Sequence, residues 1–219
     1  MNIRYLGHSC FQLIGQEGVC VLTDPYKGVG YELPATTSAD IVTISHTHFD
    51  HNNLGCVKGV KAVCSEVKRY EINGVEIQGF DTFHDKNQGF LRGKNTVYKI
   101  QMDGICFCHL GDIGEDLSDS IIKRIGKCDV LLIPVGGTYT IDAKEAKKYV
   151  QAIMPKIVIP MHYLPEDGAL DIADGTEFLS GFGDVEKYLD GEYVLNVEMS
   201  KSMPEKAMKI VYMERVKEL

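Results

Sequence analysis

The chain has 219 residues, of which 44% are hydrophobic and 25% charged, so it contains enough apolar sequence for one sizeable core. Its formal net charge of -8 is a poor electrostatic match for nucleic acid, which is bound by clustered Lys and Arg. Neither a long apolar run nor a signal peptide is evident, and we therefore expect a cytoplasmic protein without a membrane segment.

The first half of the chain is predicted to consist of strands. The turn sequence at 16–18 separates apolar runs at 4–15 and 19–25, which is typical of a hairpin. Apolar runs at 39–46, 75–84 and 95–112 continue the pattern, and the residues at 102–104 predict a second hairpin turn.

Helices and strands alternate in the second half. Helices are expected at 117–126, with Ser118 as the N-cap, and at 141–154, capped by Thr140 or Asp142. Strands are expected at 128–137 and 155–163, with weaker strand signals at 191–201 and 206–216. No linker long enough to divide the chain is found, so residues 1–219 are predicted to form a single α/β domain.

Several of these strands end in a residue that can bind a metal ion. Ligands gather at strand ends in sheets covered by helices, because loops there hold polar groups that a core cannot. The strand-end residues with this property are Asp24, His46, His48, His84, Asp112 and His162. They predict one shared site.

The segment SHTHFDH, residues 45–51, carries the strongest signal. In an extended segment His46 and His48 point to the same side and can reach one ion. The following turn, leading into a short helix near Asn52 or Asn53, would direct Asp50 and His51 toward a neighbouring point. Imidazole and carboxylate ligands together suit zinc, and also manganese or iron.

This segment resembles the HxHxDH signature of the metallo-β-lactamase superfamily. Asp24, His84, Asp112 and His162 follow the order of the other motifs of that family, so the resemblance extends from about residue 5 to 163. The motifs LGHSCF, HLGDIG and IPMHY are similar to a compact branch of zinc hydrolases related to the L-ascorbate-6-phosphate lactonases. The resemblance implies a four-layer αβ/βα sandwich.

The resemblance also implies the roles of the site residues. The implied ligands are His46, His48 and His84 for the first ion, Asp50, His51 and His162 for the second, and Asp112 for both. Asp24 would accept hydrogen bonds that orient the ligand loop. Asp50 would also bind the attacking hydroxide, which makes Asp50 and Asp112 the predicted catalytic carboxylates.

Four further residues are candidates near this site. His109 is expected to support the ligands from behind, with direct ligation or a core position as the alternatives. His8 is expected at the rim of the site or behind the ligands, with a hydrogen-bonded core position equally open. Arg92 and Asn95, soon after His84, are expected to contact substrate, because a guanidinium suits a carboxylate or phosphate; the alternative is a solvated hairpin tip.

The predicted function is hydrolysis. Two divalent cations, zinc first with manganese or iron as alternatives, would activate a bridging water as hydroxide and polarise an ester, lactone or phosphoryl oxygen. The expected substrate is a small, anionic ester, lactone or phosphoester, with no nucleic-acid or membrane partner. The alternatives are a mononuclear iron dioxygenase on the same fold and a metal-dependent nuclease. The sequence does not indicate an oligomeric state.

Overall fold

Two β-sheets form the framework of the computed structural model, which describes residues 1–204 and 207–218. The first sheet contains β1 (Asn2–Gly7), β2 (Cys10–Ile14), β3 (Cys20–Thr23), β4 (Ile41–Thr43), β5 (Ala62–Cys64) and β13 (Glu192–Val194). Its strand order is β13-β1-β2-β3-β4-β5. The strands β1 to β3 pair antiparallel, and β3, β4 and β5 pair parallel.

The second sheet is larger and mixed. It contains β6 (Arg69–Ile72), β7 (Val75–Phe83), β8 (Lys94–Met102), β9 (Ile105–His109), β10 (Val130–Pro134), β11 (Ile157–Met161), β12 (Val185–Tyr188) and β14 (Lys209–Met213). The order is β12-β14-β11-β10-β9-β8-β7-β6. Pairing is antiparallel from β6 to β9 and parallel from β9 through β10, β11 and β14 to β12.

The helices lie mostly in the second half of the chain: α1 (Asp119–Ile125), α2 (Ala143–Ile153), α3 (Thr176–Leu179) and α4 (Val197–Ser202). Ser118 caps α1, because its side chain accepts a hydrogen bond from the Ile121 amide. Asp142 and Glu145 form a capping box at α2, which settles the choice between Thr140 and Asp142. The helices of residues 1–204 and 207–218 all lack the length and apolar character needed to cross a bilayer.

Alternation along the strands of the first sheet builds two apolar clusters. Phe11 and Val21 face the main core, which the second sheet and its helices complete, while Cys10 and Leu22 face outward. This alternation follows from the two-residue period of a strand. The outward side chains pack against the loop that contains Tyr26 and its neighbours. The architecture confirms the expected α/β sandwich.

The structure differs from the sequence prediction in several places. The run predicted as one strand at 4–15 is broken at His8 and Ser9, because Gly7 and His8 have φ values of 107° and 54° and reverse the chain. The expected helix after the ligand segment is a 3₁₀ turn, Leu54–Cys56. The run at 191–201 contains a short strand followed by α4. Residue 206 of the last expected strand lies outside the described residues.

Candidate metal centre

Strand direction brings the predicted site residues to one edge of the sandwich. In the first sheet β1, β3 and β4 run in the same direction, and in the second sheet β7, β9 and β11 do so. Their carboxyl ends therefore lie together. The residues that follow these ends are His8, Asp24, the segment from His46 to His51, His84, Asp112 and His162.

One group of three histidines joins the two sheets. His46, His48 and His84 each present a ring nitrogen, and these nitrogens lie within 4.8 Å of one another. The ring centroid of His46 is 4.6 Å from that of His48 and 4.7 Å from that of His84. His46 and His84 are buried and His48 is exposed. This is the trio that the family resemblance implies for the first ion.

A second group of three histidines lies beside the first. His8, His51 and His162 are all buried, and their ligand atoms also lie within 4.8 Å of one another. The Nε2 atoms of His8 and His51 are 3.0 Å apart. Asp50 lies next to this group, with its Oδ2 atom 3.4 Å from His8 Nε2 and 3.9 Å from His51 Nε2. The structure therefore brings His8 into the group as closely as Asp50.

The carboxylate of Asp112 lies between the two groups. Its Oδ2 atom is 3.3 Å from His84 Nε2 and 3.2 Å from the Nε2 atoms of His51 and His162. Burial would raise the pKa of Asp112, but His162 and His51 hold it well below its ordinary value. Asp112 is therefore ionised at neutral pH and faces imidazoles of both groups.

Asp24 orients one histidine of each group. Its Oδ2 atom accepts hydrogen bonds from the Ser45 hydroxyl at 2.5 Å and from His51 Nδ1 at 2.9 Å. Because the Ser45 hydroxyl donates to Asp24, it accepts from His46 Nδ1, which is 2.9 Å away. The Nδ1 protons of His46 and His51 are thus both held, and the Nε2 atoms of these two rings face the site.

The environment separates the histidines by protonation. Burial lowers the pKa of His46 to about 3 and also lowers the pKa of His84, so both are neutral. Burial acts in the same direction on His51, but the carboxylates of Asp112 and Asp24 raise the pKa of His51 well above its ordinary value. A cation bound at His51 Nε2 would take the place of a proton.

Four buried atoms of the site residues have no hydrogen-bond partner among residues 1–204 and 207–218: His46 Nε2, His84 Nδ1, Asp112 Oδ1 and His162 Nδ1. A buried polar atom without a partner is costly unless something else satisfies it. All four atoms belong to side chains of types that bind divalent cations, and the mixture of imidazole and carboxylate suits zinc, manganese or iron. The residues present therefore fit a metal centre.

Three residues at this edge have a strained backbone conformation. His8, Asp24 and His162 have φ values of 54°, 38° and 52°. Residues other than glycine rarely adopt this left-handed conformation, and such residues cluster at functional sites where the surrounding structure enforces them. A residue from each of three different loops is held in this way.

The structure places the remaining predicted residues at different depths. His109 is buried behind the site: its Nδ1 accepts from the Gly111 amide at 3.2 Å, and its Nε2 donates to the Ser9 carbonyl at 2.9 Å. It therefore supports the chain next to Asp112 and His8, and both of its ring nitrogens are occupied.

Asn95 is not at the mouth of the site, where it was expected to contact substrate. Its side chain is buried, donates to Thr82 Oγ1 at 2.7 Å and to the Leu110 carbonyl at 2.9 Å, and accepts from the Asp112 amide at 2.9 Å. These contacts use both protons of the side-chain amide and engage its oxygen. Asn95 fixes the backbone of Asp112 from inside the fold, and the substrate role predicted for it does not fit this position.

Arg92 lies in a loop that Asp85 holds in place. The carboxylate of Asp85 accepts four backbone hydrogen bonds, from the amides of Asn87, Gly89, Leu91 and Arg92 at 2.7–3.0 Å. The guanidinium carbon of Arg92 is 5.5 Å from the ring centroid of Tyr139, in the loop between β10 and α2. Arg92 thus joins two loops at the edge that carries the histidines.

Sequence reasoning missed Ser45 and Asp85. Ser45 directly precedes His46, and Asp85 directly follows His84, so a polar residue adjacent to a candidate ligand was the available signal. Their roles depend on side-chain direction and on a loop conformation that the sequence pattern does not reveal.

Comparison with known proteins gives consistent matches. Residues 2–162 match the family described as the Beta-lactamase superfamily domain. A UPF0173 metal-dependent hydrolase of Methanoculleus marisnigri is 31% identical over 186 residues, which cover 74% of this chain and 81% of that protein.

Solved structures agree with these sequence matches. A Thermotoga maritima protein, assigned as a Zn-dependent hydrolase of the metallo-β-lactamase superfamily, is 35% identical with a TM-score of 0.76, covering 97% of this chain and 98% of that one. Igni18, a metallo hydrolase of Ignicoccus hospitalis, is 23% identical with a TM-score of 0.64, covering 99% and 94%, and shows the shared fold alone.

Proposed function

This chain belongs to the β-lactamase superfamily and is a metal-dependent hydrolase, and we propose that it holds two divalent cations and cleaves a small anionic ester, lactone or phosphoester. The first cation would be held by His46, His48 and His84. The second would be held by His51, His162 and Asp50, and Asp112 would be shared by both.

The shared carboxylate is the observation that carries this proposal. A single oxygen, Asp112 Oδ2, lies within 3.3 Å of the Nε2 atom of His84 from one group and of His51 and His162 from the other. One oxygen that faces imidazoles of two groups is suited to a bridging position. A site for one ion would need only one of the two groups.

Bound divalent cations lower the pKa of water to near 7 and polarise the substrate oxygen. The residues of the chain would supply position and proton control. Burial would raise the pKa of Asp50, but His8 and His51 lower it below its ordinary value, so Asp50 is ionised at neutral pH. Its carboxylate is 17% exposed and can accept a hydrogen bond from the attacking water, which orients that water.

We propose that Arg92 holds the anionic part of the substrate. Its stacking on Tyr139 keeps the guanidinium between two loops of the site, and a guanidinium binds carboxylate or phosphate oxygens in pairs. The pattern expected for Arg92→Gln is a raised KM for anionic esters with kcat nearly unchanged, because the lost contact exists in both the ground state and the transition state.

The proposal is tested by metal content and turnover on the same protein. Metal is removed with a chelator, zinc, manganese or ferrous iron is restored, and the ions bound per chain are counted by elemental analysis. Each form is then assayed on a panel of lactones, carboxylic esters and phosphodiesters, with His46→Ala as the negative control. Two ions per chain with turnover that needs His46 would support the proposal.

A different outcome would overturn it. One iron per chain with oxygen consumption and no hydrolysis would indicate an oxygenase. Binding that weakens steeply with added salt, together with cleavage of nucleic acid alone, would indicate a nuclease.

A further inference from the structure

His8 lies in the turn between β1 and β2, and its imidazole points into the second histidine group. The side chain is 1% exposed. Its Nε2 atom is 3.0 Å from His51 Nε2, and its ring centroid is 4.2 Å from that of His162. No other element separates these three rings, because the His8 ring contacts both of the others directly.

The backbone of His8 is fixed in a strained conformation by three hydrogen bonds. Its amide donates to the Tyr31 hydroxyl at 3.0 Å, and its carbonyl accepts from the Tyr5 hydroxyl at 3.0 Å and from the His162 amide at 2.8 Å. A left-handed conformation is energetically costly for a residue with a Cβ atom. The three contacts therefore hold the imidazole in one direction against that cost.

Gly7 makes this arrangement sterically feasible. A Cβ atom at Gly7 would lie 2.6 Å from Tyr31 Cε2. Only glycine at position 7 lets the Tyr31 ring approach closely enough for its hydroxyl to accept a hydrogen bond from the His8 amide. The turn, the left-handed backbone and the contacts with the two tyrosine hydroxyls together fix the direction of the His8 side chain.

Without an ion, His51 Nε2 can donate a hydrogen bond to His8 Nε2 at 3.0 Å, but this hydrogen bond cannot persist once an ion is bound at His51. An ion bound at His51 Nε2 would use the lone pair of that nitrogen, which leaves it unable to accept from His8. The other partner, Asp50 Oδ2, is 3.4 Å away, longer than the roughly 2.7–2.9 Å of a charge-assisted hydrogen bond. Two imidazole nitrogens bonded to one ion at about 2.0–2.1 Å do come as close as His8 and His51.

We propose that His8 is a direct ligand of the second cation, bound through Nε2 together with Asp50, His51, His162 and Asp112. This inference rests on the proposed function, since it concerns the same pair of ions. It adds a nitrogen donor to the set of Asp50, His51 and His162 that the family resemblance implies for this ion. A site with that many protein donors favours a cation that accepts five or six ligands, such as manganese or ferrous iron, over four-coordinate zinc.

The test counts the histidines that bond to metal. The full chain is prepared with isotope-labelled histidine nitrogens and loaded with NMR-active cadmium, and each nitrogen bonded to cadmium shows a scalar coupling to it. The chain has seven histidines. The expected result is coupling at six of them, with His109 uncoupled as an internal control because both of its ring nitrogens are already occupied.

The outcomes separate this inference from the proposed function. Coupling at His46, His48, His51, His84 and His162 without His8 would overturn the inference and leave the two-ion site intact. Coupling confined to one of the two groups would overturn the two-ion site itself. The count is read from the parent protein, so the result does not depend on whether a His8 variant folds.

Cadmium affinity provides the second readout. His8→Gln is expected to weaken binding of the cadmium ion at the second histidine group by more than about 100-fold. This exceeds the 10–100-fold loss that is typical of a residue that only supports a ligand. Tyr31→Phe removes the hydroxyl that fixes His8 but keeps the His8 imidazole. This variant is expected to weaken cadmium binding at the second histidine group by about 10-fold at most. Parental affinity in His8→Gln would overturn the inference.

Discussion

The carboxylate of Asp24 and the imidazole of His51 form a buried hydrogen bond of 2.9 Å between Oδ2 and Nδ1. This contact directs His51 Nε2 toward Asp112 Oδ2, 3.2 Å away. The same Asp24 oxygen accepts the Ser45 hydroxyl, whose oxygen lies 2.9 Å from His46 Nδ1. One carboxylate therefore controls a histidine in each of the two groups.

Replacing Asp24 should weaken both groups together. Asp24→Asn removes the negative charge that holds the Nδ1 protons, and metal affinity at both positions is expected to fall by about 10–100-fold. Competition with a calibrated chelator measures this loss. Asp40→Asn is the matched control, because Asp40 also accepts a backbone amide, that of Cys20, but lies at the opposite end of β4. An equal loss in both variants would refute the role of Asp24.

Ser45→Ala should affect one group alone. The variant removes the oxygen that accepts from His46 Nδ1 and leaves the Asp24–His51 contact in place. We expect about 10–100-fold weaker binding at His46, His48 and His84 and little change at the other group. Thr43→Val is the control, since the buried Thr43 hydroxyl has no partner among residues 1–204 and 207–218. Stepwise metal titration of the two variants would show whether the groups respond separately.

Gly136 controls the position of His162 by close backbone contact. A Cβ atom at Gly136 would lie 2.3 Å from the His162 carbonyl oxygen. Gly136→Ala must therefore displace either the segment around residue 136 or the segment around His162. We expect Gly136→Ala to lower the free energy of unfolding by about 1–3 kcal/mol, which is typical of overpacking. Gly55→Ala is the control, because a Cβ atom there meets nothing within 4 Å. Denaturant unfolding of the two variants decides the matter, and equal stability would contradict the steric argument.

The loop held by Asp85 should open in acid. Burial alone would raise the pKa of Asp85, but its four backbone hydrogen bonds lower it below its ordinary value. A carboxyl group whose pKa is lowered by folding stabilises the structure above its unfolded pKa, near 4, and that stabilisation disappears as the pH falls through the folded value.

Hydrogen exchange at the amides of Asn87, Gly89, Leu91 and Arg92, corrected for intrinsic rates, measures this opening. Protection is expected to fall below about pH 4 in the parent protein and to be low at all pH values in Asp85→Asn, which should lose about 1–3 kcal/mol of local stability. The same pH profile in both proteins would assign the opening to another group.

The positions of the predicted ligands could be read from sequence because they depend on local order. A residue soon after an apolar strand lies at the carboxyl end of that strand, and the carboxyl ends of parallel strands lie at the same edge of a sheet. His46, His84, Asp112 and His162 are all placed in this way. Two of the helix caps, Ser118 and Asp142, were also predictable, because a cap is defined by its immediate neighbours.

Other features depend on contacts between distant parts of the chain. Asn95 faces inward because β8 pairs with β7 in a register that sets Asn95 opposite Thr82, and this register is not evident from either strand alone. His8 was expected near the site, but the turn that aims it forms because Gly7 admits the ring of Tyr31. Strand β13 pairs with β1 across most of the chain length, and only a weak strand signal over 191–201 marked its short span.

Both histidine groups draw on both sheets, and this has a consequence for unfolding. His46 and His48 follow β4 of the first sheet while His84 follows β7 of the second, and His51 and His162 are divided in the same way. An ion held by either group would act as a cross-link between the two halves of the sandwich. The sheets could then separate only after the ion had dissociated, so the lifetime of the folded state would follow the rate of metal release rather than the apolar core alone.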